Sequence, residues 1–159
     1  MQRIIEQADS RVERNPVDLT SSMIEKLNAG FRIEQDCILF AGTEYFGPGD
    51  LSSSKAKIEY EEFINSTSTY SYLGNNSNHY KIIIASIEFA KKLYDKLKQT
   101  FPDKFRVVVR TDNPSTDPIG VYGSCECNVR FYKIRAEVDK EFREEILTDY
   151  GEEGMMMIE

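Results

Sequence analysis

Along one stretch of the chain Cys125, Cys127, Val129 and Phe131 alternate with Glu126, Asn128, Arg130 and Tyr132. Successive side chains of a strand point to opposite faces, so the first set lines one face and the second set the other. The pattern predicts a strand over 125–134 with one face in a core and one in water. Residues 105–110 repeat it: Phe105, Val107 and Val109 share one side, and Arg106, Val108 and Arg110 the other. These two strands are expected to pair antiparallel. Over 80–100 the period changes, with Ile83, Ile87, Ala90, Tyr94 and Leu97 recurring at steps of four and three and Phe101 lying beyond. This is the strongest helix signal in the chain. Ile82, Phe89 and Leu93 widen its apolar stripe, which suits packing across a sheet, and Pro102 ends it.

Weaker patterns fill in the rest. Leu19, Met23 and Leu27 mark a helix over 18–28, with Ser22 and Glu25 as a capping box and Gly30 where the helix ends. Residues 31–41 read as a single strand, and the unbroken run from Cys37 to Ala41 implies cover on both faces. Residues 42–54, with Gly47-Pro48-Gly49-Asp50, form a surface loop. A short helix over 56–64 is expected to turn Glu59, Glu61 and Glu62 to solvent. Residues 65–78 are rich in Ser, Thr and Asn yet hold Tyr70 and Tyr72, aromatics that pin a loop to the body or meet a ligand. Residues 111–124 form a turn-rich connection. Val138, Phe142 and Ile146 mark a last helix, ending near Gly151, and residues 155–158 a last buried strand. Residues 1–17 are a polar arm or short helix. The whole predicts one α+β domain over 18–159, a largely antiparallel sheet with one face covered by amphipathic helices.

Charge adds a polarity that hydropathy does not show. The chain of 159 residues has a net charge of -7. Nine acidic residues against Lys140 and Arg143 fall between Glu137 and Glu159, and the preceding residues balance. Residues 81–110 run the other way, with eight basic residues against Glu88, Asp95 and Asp103. An overall acidic field repels phosphate, so nucleic acid is not an expected partner. No apolar run is long enough to span a membrane, and no secretory leader opens the sequence, so a cytoplasmic setting is expected. The triplets at Asn65 and Asn75 then carry no glycan.

Candidate chemistry is sparse. Cys37, Cys125 and Cys127 with His79 would suffice chemically for zinc, but C-x-C on a regular strand sets the sulfurs side by side on the core face rather than in a metal knuckle. They read as small buried hydrophobes. No metal ligand, cofactor or catalytic residue is assigned, since no nucleophile elbow, phosphate loop or calcium loop accompanies His79 or the glycines. Lys91, Lys92, Lys96 and Lys98 make a solvated basic face. The best-defined candidate surface is the polar side of the two C-terminal strands: Arg106, Arg110, Glu126, Asn128, Arg130 and Tyr132, because Arg and Tyr are enriched at the energetic centres of interfaces. Glu144 and Glu145 join it as acidic contacts for a basic partner. The expected function is therefore binding of a macromolecule, in the manner of an immunity protein that neutralises a basic toxin or nuclease. The alternative is an enzyme or small-ligand binder with a pocket between loops 42–54 and 65–79, using Tyr70, Tyr72 and His79.

Overall fold

A computed structural model describes residues 18–44, 47, 49–69, 72, 79–111, 127–149 and 154–159. The first helix, α1 (Ser21–Ala29), buries Met23 and Leu27 as the period required. Its N-cap is Thr20, whose hydroxyl accepts from the Met23 amide at 3.3 Å, in place of the expected Ser22 capping box. Gly30 closes the helix at φ +76, a conformation that costs little only without a Cβ.

Residues 31–41 are two strands and not one. β1 (Phe31–Glu34) and β2 (Cys37–Phe40) form an antiparallel hairpin, with Phe31 opposite Phe40 and Glu34 opposite Cys37. Gln35 and Asp36 both take positive φ, 46 and 67, the signature of the two-residue turn whose twist suits a hairpin. No glycine or asparagine marks this turn in the sequence. Distant groups hold it instead: Arg135 Nη2 donates to the Asp36 carbonyl at 2.8 Å, and Lys133 and Lys57 pair with its carboxylate at 2.9 and 3.3 Å. The expectation for β2 stands, because all four of its residues are buried.

The remaining elements are α2 (Ser54–Ile64), β3 (Thr67–Ser68), α3 (His79–Thr100), β4 (Phe105–Thr111), β5 (Cys127–Lys133), α4 (Asp139–Asp149) and β6 (Gly154–Ile158). The sheet runs β3-β5-β4-β6, with every pairing antiparallel. Helix α3 covers one face, and Phe89, Leu93 and Leu97 pack in one cluster with Val107, Val109, Val129 and Phe131. The Phe40 ring meets Phe131 edge-on at 5.0 Å, which fastens the hairpin to the same core.

The opposite face, expected in water, is also covered at one end. Ile58 of α2 and Phe142 of α4 form a second buried cluster with Val108 and Tyr132, and Met155 and Met157 of β6 pack against it. The α+β class is thus as expected, but both faces of the sheet carry helices. β6 is in place as a last strand, although Met155 to Ile158 are only partly buried at the sheet edge.

Candidate functional site

Side chains of α2 join the hairpin to the main sheet. β3 is only two residues long and leaves β5 open beyond Val129 on that side, and β2 lies across the gap. Asn65 and Glu61 fill it. Asn65 Oδ1 accepts from the Phe40 amide at 3.1 Å, while its Nδ2 donates to the carbonyls of Ile38 at 2.8 Å and Phe131 at 3.2 Å. Glu61 Oε1 accepts from the Ile38 amide at 2.8 Å and Oε2 from the Lys133 amide at 3.0 Å. An amide and a carboxylate one helical turn apart thereby take the place of a missing strand.

Glu61 is wholly buried, which corrects the expectation of a solvated acidic face on this helix. Burial is the largest influence on its carboxyl and pushes its pKa up; Arg135, donating through Nη1 at 2.7 Å, pulls it down. Burial also pushes the Cys37 thiol up to about 11, with Glu61 adding to the shift, so this thiol is a poor nucleophile at neutral pH. Cys37 and Cys127 are free and buried in different clusters, in line with their reading as core residues. Cys125 and the side chain of His79 lie outside the described residues, among which no group of three or more metal-ligating side chains gathers.

The candidate sheet surface breaks into parts. Arg106 and Tyr132, expected in water, are 1% and 0% exposed. Arg106 Nε donates to Glu159 at 2.9 Å, Nη1 to the Tyr132 hydroxyl at 2.9 Å, and Nη1 and Nη2 to the two Asp139 oxygens at 2.8 and 3.1 Å. Burial, the largest cause, pushes the Tyr132 phenol up to about 12. The two residues form an internal network beneath α4 and offer no face to a partner. Arg130 lies beside Glu62 at 3.3 Å, and Arg110 and Asn128 face each other across β4 and β5. These three stay partly exposed; Arg110 and Asn128 lie in a row where Met155, Arg110, Asn128 and Ser68 cross the sheet, whereas Arg130 stands opposite Val108. Glu126 lies outside the described residues.

The acidic C-terminal segment is partly consumed by the fold. Asp139 and Glu159 both serve Arg106, Glu137 accepts from the Ser54 hydroxyl, and Glu145 pairs with Lys55 at 2.7 Å. Glu141 and Glu144 remain exposed on α4. The Lys55 ammonium, raised first by its bond to Glu145 and then by the fields of Glu145, Glu141 and Glu59, marks where the carboxylates of α2 and α4 converge. Sequence reasoning passed over Lys55 and Phe63 on this outer face. The available signal was helical phase, because Lys55, Glu59 and Phe63 recur at four-residue steps outside the buried stripe of Ile58, Glu61 and Asn65.

Of the loops in the alternative reading, only part lies within the described residues. Tyr72 packs against the main core, and Leu51 is buried against Cys37 and Leu39. Tyr70 lies outside the described residues. Comparison with protein-family models, with curated proteins and with solved structures found no match.

Proposed function

We propose that the protein acts by binding another macromolecule, a basic protein, as an immunity protein would when neutralising a toxin or nuclease in the cytoplasm. One observation carries this reading: the two helical layers differ in charge. The outer faces of α2 and α4 expose Glu59, Glu141 and Glu144 together with Lys140 and Arg143, a balance of -1 among the described residues, while the opposite layer, α3, exposes Lys81, Lys91, Lys92 and Lys98 against Asp95, a balance of +3. Opposed surface fields steer association and fix orientation more than they add affinity. Among the described residues no helix is long and apolar enough to cross a membrane, which agrees with a partner met in water.

The test is capture of a partner by the tagged chain from its own cells, followed by binding of the purified pair. The association rate should fall by roughly tenfold between about 0.03 and 0.3 M salt, where screening shortens to a few Å. A partner that binds at a salt-independent rate would remove the electrostatic basis of the proposal. Turnover of a small molecule dependent on His79 would replace it with the enzyme alternative.

A further inference from the structure

The two edges of the four-stranded sheet are finished differently. On the β5 side the Cys127 carbonyl meets the Thr69 amide, the Phe131 carbonyl meets Asn65 Nδ2 and the Lys133 amide meets Glu61 Oε2, so β3 and α2 together close that edge. On the β4 side β6 is the last strand, and among the described residues no further strand pairs with it. Its backbone phase follows from the ladder. The Ile134 amide donates to the Lys104 carbonyl at 2.9 Å, one step past the partners Phe105 and Lys133, so even-numbered residues of β4 bond to β5 and odd-numbered ones turn to β6. Val107, Val109 and Thr111 therefore bond Ile158, Met156 and Gly154, while Met155, Met157 and, by the same phase, Glu159 direct their N–H and C=O groups outward. The usual guards of an open edge are missing, because residues 154–158 read Gly-Met-Met-Met-Ile, without lysine, proline or any charge.

We infer that β6 is a self-pairing edge, bonded antiparallel to β6 of a second copy about a two-fold axis at Met157, which joins two four-stranded sheets into one. This axis sets Met157 opposite Met157 of the second copy and Met155 opposite its Glu159, so the outward backbone groups meet one another. An axis at Met156 would pair only Met155 with Met157 among the described residues. Charge selects the same register. Arg110, partly exposed, is the β4 neighbour of Met155, so Glu159 of the second copy continues the row Ser68, Asn128, Arg110, Met155 and sets a carboxylate across Met155 from the guanidinium. The apolar side chains agree, since Met156 then lies against Ile158, and all four from Met155 to Ile158 are partly exposed along this edge. A strand of another protein would satisfy the backbone, but only the second copy is bound to place a carboxylate opposite Met155.

The test is sedimentation of the full chain over a range of concentrations, which should pass from the 18.3 kDa monomer to a dimer of twice that mass. Met157→Pro removes an outward N–H and no bond to β4, so it should leave the fold intact and raise the dimer dissociation constant roughly 30-fold, because two hydrogen bonds are lost at the axis. Met157→Lys keeps the backbone groups and sets two ammonium groups against each other; it should weaken the dimer too, and serves if the proline variant fails to fold. Mild oxidation of Met157→Cys should give a disulfide-linked dimer, as bonded partners have Cα atoms about 5.5 Å apart, whereas Met156→Cys and the parent should not. A chain that stays monomeric at every concentration overturns the inference, as does a dimer whose dissociation constant moves less than about twofold in both position-157 variants. A disulfide formed through Met156→Cys in place of Met157→Cys overturns the axis at Met157. A monomer that loses a captured partner on Met157→Pro overturns the second copy and gives the edge to a strand of that partner.

Discussion

The two faces of the four-stranded sheet are built by different means. Under α3 the contacts are almost wholly apolar, from Phe89, Leu93 and Leu97 to Val107, Val109, Val129 and Phe131. Under α2 and α4 apolar packing is thinner, and charged groups share the interior: Arg106 with Asp139 and Glu159, and Glu61 with Arg135 between the hairpin and β5. The first face needs only shape and hydrophobicity. The second needs each polar atom matched, since a buried charge without its partner is far more costly than a missing methylene. An alternating strand therefore reveals which residues share a face, and leaves open whether that face meets water.

The sharpest way to break this comparison is to unmatch the buried pair. Glu61→Ala removes the acceptor for Arg135 and for two backbone amides, and should cost roughly 4 kcal/mol in denaturant unfolding. On the apolar face Leu97→Ala should cost roughly 3 kcal/mol, and exposed Lys92→Ala should stay within about 0.5 kcal/mol. Lys96 is not the neutral control that its place among the surface lysines suggests, because its ammonium donates to the Leu27 carbonyl at the end of α1, at 2.5 Å. A Glu61→Ala cost well below that of Leu97→Ala would mean that the second layer does not depend on its charges.

Smaller substitutions sharpen the contrast. Asn65→Ala leaves the Phe40 amide and two carbonyls without their amide partner and should cost about 2 kcal/mol, with hydrogen exchange rising first in β2. Tyr132→Phe should cost about 1 kcal/mol at neutral pH for the lost bond from Arg106. Its pH dependence carries a sign. The folded phenol is raised to about 12, so the folded state keeps the proton after the unfolded chain has begun to release it near 10. The contribution of Tyr132 is complete below the unfolded value and is lost as pH climbs through the folded one. Tyr132→Phe should therefore remove part of the alkaline loss of stability, and equal slopes for parent and variant in alkaline unfolding curves would contradict the buried placement.

Much of the molecule was determined by sequence alone. The boundaries of α3, the full burial of Cys37 to Phe40 and the apolar roles of Cys37 and Cys127 follow from local periodicity, because each depends on which side chains lie a few residues apart. Three features were decided only in three dimensions. The hairpin turn at Gln35-Asp36 has neither glycine nor asparagine and is fixed by Lys57, Lys133 and Arg135. The burial of Arg106 and Tyr132 required Asp139, 33 residues beyond Arg106, to supply the opposite charge. Glu61 was indistinguishable from Glu59 and Glu62 as a residue type, yet it alone of the three faces Arg135 and two open amides. Periodicity fixes direction relative to neighbours on the same element, whereas the fate of a charged side chain depends on what a distant segment brings to meet it.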